Sequence, residues 1–405
     1  MQPVTNRRFL NRTHPPHIVT LVLLSGLASL AMNIYLPSMT NMTNYFQTEY
    51  RLMQLSVALY LGANGVLQVV IGPIADKAGR RPVILWGLGL FLLATLGCIY
   101  APNAQVFLIF RMFQAVVAVG IVLSRAAVRD IYAQDQAASM IGYVTMGMTV
   151  VPMIGPAIGG ALDQLFGWSA NFWMLFGAGI LIWALTWADF GETAHKSGKT
   201  LVAQFREYPE LLRSPRFWGY SLAAGLPTGA FFAYLGGAPF VGTVIYDMEP
   251  GELGLYFSAP SLGYFFGNFL SGRYSMRVGV NRMVLWGNLL VCAGLSVSMV
   301  VMLTGYGSAL SFFGFIIIMG LGNGMTIPNA TAGALSVRPH LAATAAGLSG
   351  AISLIGGAAL SGLAGTLLNR ETGAVVLLAI MLCAAIGGVL AIGMVLRRER
   401  QLAGY

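Results

Sequence analysis

Gly72-Pro73-Ile74-Ala75-Asp76-Lys77-Ala78-Gly79-Arg80-Arg81-Pro82 sets one acid and three bases in a tight glycine turn between two apolar runs, 53–75 and 83–102. A helix needs about 20 apolar residues to cross a hydrocarbon core, so this turn reads as the loop joining two membrane spans. The composition agrees: 9% of the 405 residues are charged, 57% are apolar, and Asp and Glu total 14. Mean hydropathy is +0.72. A soluble chain carries about 25% charged residues, so the bilayer is the solvent to which this surface is fitted.

Outward from the turn, runs of spanning length fall at 18–37, 53–75, 83–102, 106–128, 138–163, 169–190, 217–245, 253–275, 283–304, 308–336, 342–368 and 374–396. Twelve spans put both termini on one side of the membrane. The excess of basic residues on inner loops says which side. Placing both termini in the cytoplasm gathers 20 of the 23 Lys and Arg there, leaving Arg51 and Arg370 outside and Arg111 within a span. Arg7, Arg8 and Arg12 precede the first run, which is too long for the core of a signal peptide and is expected to remain as a span.

The polar stretch 191–216 divides the chain into six spans (1–190) and six more (217–405). Within it Leu201, Phe205, Tyr208 and Leu212 keep helical spacing, which predicts a short amphipathic helix on the inner leaflet; an irregular linker is the other reading. The halves repeat at an offset of 200: Gly72, Lys77 and Gly79 recur as Gly272, Arg277 and Gly279, Leu85-Trp86-Gly87 as Leu285-Trp286-Gly287, and Gln68 as Asn268. Parallel six-span repeats are a transporter architecture, with the substrate site expected between them near the midplane.

Two further motifs join the first. Pro152, Gly155, Pro156, Gly159 and Gly160 form a Pro-Gly series in the fifth span, suited to close packing and a kink. Arg111-Met112-Phe113-Gln114 in the fourth span is followed by Arg125-Ala126-Ala127-Val128-Arg129-Asp130 at its inner end. Local matches occur at Asn33-Ile34-Tyr35-Leu36-Pro37, at Ala233-Tyr234 through Pro239-Phe240-Val241, and at Pro328-Asn329.

The turn at 72–81 resembles the loop 2–3 signature of the major facilitator superfamily. The other motifs resemble its bicyclomycin-resistance (Bcr/CflA) branch of drug:proton antiporters, over essentially the whole chain. The resemblance implies a twelve-helix fold of two six-helix repeats, alternating access, and export of small organic molecules from a bacterial inner membrane. It assigns Gly72, Asp76, Lys77, Gly79, Arg80, Arg81 and Arg129 to a conformational latch. The branch usually carries Asp where this chain has Asn33, and that carboxylate is its leading proton carrier. An amide takes up no proton near neutral pH.

All 14 acids map to span ends or loops, Asp163 and Asp130 lying nearest to membrane depth. Arg111 is therefore a buried charge without an evident counter-ion, and inserting it costs at least about 2.5–3.5 kcal/mol. It is read either as a clamp on neutral acceptors (Asn33, Gln114 or carbonyls) or as the anchor for an anionic or zwitterionic substrate. Tyr60, Asn64 and Gln68 stripe span two at helical spacing, as Phe257, Ser261, Tyr264 and Asn268 stripe span eight. With Asn33, Tyr35, Gln114, Phe231 and Tyr234 they are the candidate cavity residues; Met146, Met148 and Met153 suit an adaptable wall or ordinary packing.

Cys98, Cys292 and Cys383 lie in apolar runs without metal-ligand spacing, so neither metal nor cofactor is expected. The basic residues punctuate spans instead of forming a patch, which excludes nucleic acid as a partner. No H-E-x-x-H or comparable nucleophile with its base lies in a span, so the chain is not expected to be an enzyme. The leading function is drug or multidrug efflux by a monomer, proton-coupled in an atypical way. The alternative is a specific exporter or facilitator of an anionic metabolite anchored by Arg111, without proton coupling through span one.

Overall fold

The computed structural model describes residues 10–132, 140, 144, 151, 154–194, 208–338, 341–371 and 373–403. Among them the regular structure is entirely helical. The helices are α1 (Ile18–Asn33), α2 (Met39–Tyr45), α3 (Tyr50–Ala78), α4 (Arg80–Ile99), α5 (Ala104–Gln114), α6 (Ala118–Ile131), α7 (154–166) and α8 (Ser169–Asp189). After the polar stretch come α9 (Tyr208–Leu212), α10 (Pro215–Phe240), α11 (Pro250–Phe257), α12 (Ala259–Val278), α13 (Val280–Leu303), α14 (Ala309–Ser336), α15 (Ala342–Leu367) and α16 (Gly373–Ala403). Short 3-10 turns join α1 to α2 and α5 to α6, and a π turn at Val241–Ile245 follows Pro239.

Ten of the described helical segments are long and apolar enough to cross a membrane. The other two expected runs behave differently for physical reasons. Part of 138–163 lies outside the described residues, and α7 is its described end. The run 253–275 is divided at Ser258 into α11 and α12, and α12 carries Asn268, Ser271, Arg273 and Ser275. Such a helix has two faces, small and polar residues (Ser261, Gly263, Gly267, Ser271) buried against neighbours and Phe265, Phe266 and Phe269 exposed. The chain is a multi-pass membrane protein: Trp86, Leu93, Phe269 and Leu390 stand exposed on its flanks, where lipid and not water is the compatible neighbour.

Local sequence explains the helix ends. Asn103 caps α5 by accepting from the Val106 amide at 2.9 Å, and Ser308 with Ser311 forms a reciprocal capping box on α14. Gly79 (φ +97°) and Gly279 (φ +92°) terminate α3 and α12 in a conformation that side chains rarely adopt, 200 residues apart as the repeat predicts. The offset extends into packing. Gly87 of α4 lets Val119 of α6 approach, and Gly287 of α13 lets the Gly322 carbonyl of α14 approach.

The polar stretch is helical at Tyr208–Leu212; Leu201 and Phe205 lie outside the described residues. Leu211 is buried against Phe217 and its neighbours, whereas Leu212, on the face expected to meet the membrane, is exposed.

Where helices touch, small residues replace large ones. A methyl group added to Gly263 or Gly267 of α12 would collide with the Ile317 or Leu321 carbonyl of α14. Gly272 on the same helix meets nothing. Gly263→Ala is expected to cost about 1–3 kcal/mol from overpacking, against about 1 kcal/mol recovered as helix propensity. Gly272→Ala recovers the propensity term alone. Thermal unfolding in detergent is expected to show a lowered midpoint for Gly263→Ala and an unchanged or raised one for Gly272→Ala.

Candidate functional site

Arg111 stands in the last turn of α5 and is among the most completely buried large side chains of the structure. Its guanidinium donates to Gln114 Oε1 at 2.6 Å and to the Ala31 carbonyl at 2.9 Å. The rings of Tyr35 and Tyr60 cover it, with centroids 4.4 and 4.1 Å away. No carboxylate pairs with it among the described residues. Two ring faces, an amide and a carbonyl at the negative end of the α1 dipole replace the counter-ion. Each of these is itself held: Gln114 donates to Thr95 Oγ1 at 2.8 Å, and the Tyr35 hydroxyl lies 2.9 Å from Ser56 Oγ. Asn33, a third acceptor considered from the sequence, instead donates to the Ser29 carbonyl of its own helix at 2.7 Å. The Nε of Arg111 and the Tyr60 hydroxyl have no hydrogen-bond partner.

The turn at 72–81 marks one end of the bundle. Arg80 reaches Asp76 at 3.4 Å and grips Asp130 of α6 through two nitrogens, Nη2 at 3.2 Å and Nε closer still. Arg81 donates to the Phe190 and Trp187 carbonyls at 2.7 and 2.9 Å. Two acids that the sequence gave no role complete the network. Glu192 accepts from the backbone amides of Arg80 and Arg81, capping α4. Asp189 accepts from the Leu10 and His17 amides and the Thr20 hydroxyl, tying the start of α1 to the end of α8. Asp189 is the last residue of α8 and Glu192 lies three residues beyond it, where a carboxylate can reach free amides at a neighbouring helix start; nothing in their spacing from the turn signals it. Gly72 is open to its surroundings and Lys77 is exposed, and neither takes part in the bonds of the network.

The second half closes its turn with other residues. Glu399, near the end of α16, accepts from Arg216 at 2.8 Å, from the Tyr220 hydroxyl at 3.1 Å and from the Asn281 amide. Asn281 is the counterpart of Arg81 at the 200-residue offset.

A cavity of about 400 Å³ lies at this end, lined by Gln68, Gly72 and Asp76 of α3, Arg125, Arg129 and Asp130 of α6, and Thr344 and Gly347 of α15. Beyond Gln68 the gap closes. Gly65 packs against Leu354 and Ile355, and Gln54 donates to the Ser361 carbonyl at 3.1 Å. At the far end the two sets of helices are joined by Thr40 to Thr243 (2.5 Å) and by Tyr50, which donates to the Gly236 carbonyl at 3.0 Å and accepts from the Phe240 amide at 3.1 Å, beside a second cavity of about 890 Å³ lined by Thr43, Glu49, Arg51, Gln54 and Gly365.

The remaining candidates divide. Tyr60 and Asn64 are buried, and Gln68 donates to Asn64 Oδ1 at 3.1 Å while lining the cavity. Tyr234 is buried against Phe231, Phe257 and Phe313, its hydroxyl without a partner. Asn268 donates to the Tyr264 carbonyl one turn back. Gly155, Gly159 and Gly160 bring α7 against Leu30, Ile34 and Pro250, and the Pro156 carbonyl abuts Gly254 of α11. Pro152, Met146, Met148 and Met153 lie outside the described residues.

Comparison with known proteins places the chain. Residues 21–361 match the family model described as Major Facilitator Superfamily. Multidrug resistance protein D of Escherichia coli (strain K12) is 29% identical over 369 residues, 89% of this chain and 91% of that one. A chloramphenicol resistance protein of Pseudomonas aeruginosa is 30% identical over 332 residues, covering 80% and 78%. A bicyclomycin resistance protein homolog of Haemophilus influenzae is 27% identical over 382 residues, covering 91% and 93%. Among solved structures, a bacterial homolog of the human lysosomal transporter Spinster, in an inward-facing and occupied conformation, superposes with a TM-score of 0.72 at 18% identity, covering 95% of this chain and 96% of that one. That likeness concerns the fold.

Lysine at position 111 keeps the charge but offers a single ammonium, which cannot reach both oxygens while lying flat between two rings. Arg111→Lys is expected to insert normally and to lower the unfolding midpoint. The loss is on the scale of about 3–5 kcal/mol for a broken buried charged network. Thermal unfolding of the purified variant, with membrane insertion checked separately, measures it.

Proposed function

This chain belongs to the major facilitator superfamily, a family of transporters and not of enzymes, and on that premise we propose that it exports small organic molecules, drugs among them, by alternating access. In this reading twelve spans form two six-helix units, 1–190 and 217–405, joined by 191–216, with both termini in the cytoplasm of a bacterial cell and the protein working as a monomer in the inner membrane. The observation that carries the reading is that cavities at both ends, bounded by α3 and α15, are separated by packed residues of those same helices, Gly65 against Leu354 and Ile355 and Gln54 on the Ser361 carbonyl. The drug-resistance names of the relatives support the cargo class.

Arg111 is the clamp of the first unit in this proposal. Rings flank the guanidinium and both terminal nitrogens are engaged, so an anionic substrate would have to displace partners that are themselves hydrogen-bonded. Asp76, Arg80, Arg81 and Asp130 form the inner latch, and the cavity residues from Tyr60 to Gln68 receive cargo as the units rock. Protons are the coupling ion, taken up elsewhere than at Asn33.

Inverted membrane vesicles containing the chain are expected to accumulate at least one of ethidium, chloramphenicol and bicyclomycin above empty vesicles. Dissipating the pH gradient should lower that accumulation severalfold, and Asn33→Asp should steepen its pH dependence. No accumulation of any compound in a broad panel would remove the exporter reading. Accumulation indifferent to the gradient would remove the proton.

A further inference from the structure

Near its end, α7 presents two adjacent faces. Gly159 and Asp163, four residues apart, look toward the end of α1 and toward α2: a methyl at Gly159 would collide with the Ile34 carbonyl, and Asn41 Nδ2 donates to Asp163 Oδ2 at 2.8 Å. Gly160 and Gln164, also four apart, look toward the head of α11: a methyl at Gly160 would collide with the Pro250 carbonyl, and Gln164 Nε2 lies 3.3 Å from Glu249 Oε2. Asp163 therefore stands immediately beside the seam where the two six-helix units meet at the far end.

Asp163 is 5% exposed. Its Oδ1 has no hydrogen-bond partner, and no Lys or Arg pairs with it among the described residues. Ser38 stands beside the carboxylate with Asn41 and accepts from Asn171 of α8 at 2.8 Å, and the Oδ1 of Asn171 also lacks a donor among the described residues. Two buried acceptor oxygens thus go unsatisfied in one polar cluster, an arrangement that costs more when the carboxylate is ionised. A proton on Asp163 removes the charge and supplies a donor.

We propose that Asp163 is a proton-binding site that governs the outer seam, protonated while α7 and α11 are packed together and ionised when they part and water reaches it. The proposal rests on the transport reading, in which the far end is the outer one. The titratable groups on the packed elements are Glu252 of α11, Asp247 and Glu249 before it, Tyr45 of α2 and Tyr35 after α1; the three acids and Tyr45 are exposed, so burial and not a neighbouring charge is what opposes ionisation of Asp163. The closed seam holds one more proton than the open seam, so lowering the pH favours closure. An acidic exterior then loads Asp163 and returns the carrier to its inward-open form. This gives the scaffold a carrier that Asn33 cannot be.

Spin labels at Pro102→Cys and Tyr306→Cys, with Cys98→Ser, Cys292→Ser and Cys383→Ser, report the outer separation by double electron–electron resonance in nanodiscs. Short distances are expected at pH 5, giving way to longer ones by pH 8. Asp163→Asn, a neutral amide of the same shape, should hold the short distances at both. Asn41→Leu removes the donor that stabilises the carboxylate, so its midpoint should rise by about one pH unit. Distances independent of pH in the parent, a transition in Asp163→Asn like the parent's, or an unmoved midpoint in Asn41→Leu would each overturn the site. The Asn41→Leu midpoint stands on its own should Asp163→Asn fail to fold. The distances need no cargo, so pH-driven closure without vesicle accumulation would retain the site and remove the exporter reading, and the reverse would do the opposite.

Discussion

A guanidinium sealed inside an apolar bundle, with no carboxylate beside it among the described residues, is the constraint on which the first half of the chain is built. Arg111 draws Ala31 of α1, Tyr60 of α3 and Gln114 of its own helix to one point, and Gln114 passes the connection to Thr95 of α4. Charge in such a place is tolerable only if several neutral groups share the solvation that water would give. Each of those groups must then be positioned, as Tyr35 is by Ser56. The order of four helices follows from one side chain's need.

The two ends of the bundle are held by opposite means. At the end that bears the glycine turn, ion pairs and capped helix starts join α3, α4, α6 and α8: Arg80 with Asp76 and Asp130, Glu192 on the α4 amides, Asp189 on the α1 amides. Such contacts are directional and can be exchanged for water at modest cost. At the opposite end, glycines let backbone meet backbone between α7, α1 and α11, with hydroxyl and amide contacts between the two halves of the chain. Close backbone packing of that kind leaves little room for intermediate arrangements.

Much of this was legible in the sequence. Twelve apolar runs, a glycine turn repeated after 200 residues and a lone intramembrane arginine follow from composition and spacing, because period and polarity are local properties. The positive φ at Gly79 and Gly279 confirms what the repeat demanded. What stayed hidden depends on which helix end meets which. Glu192 and Asp189 looked like loop acids, since only the fold brings the end of α8 to the starts of α4 and α1. Asn33 looked like a partner for Arg111, yet its amide turns back to Ser29, a choice made by rotamer and burial. Leu211, which the spacing did not single out, faces inward for a similar reason: one short helix packs on its neighbour through a residue that only the fold selects.

The repeat also shows how two copies of one scaffold diverge. Each half has a carboxylate at its glycine turn, Glu192 three residues past α8 in the first and Glu399 of α16 in the second. In the first, the turn itself supplies Asp76 and two arginines, and the network reaches α6 through Asp130. In the second, the counterpart of Asp76 is Met276, almost wholly exposed, and the counterpart of Arg81 is Asn281. Glu399 therefore bonds α10 and α13 to α16 without any link to α14 through the turn. The positive-φ glycine is common to both turns, while the side chains around it differ: a carboxylate on backbone amides in the first half, a carboxylate on side-chain donors in the second.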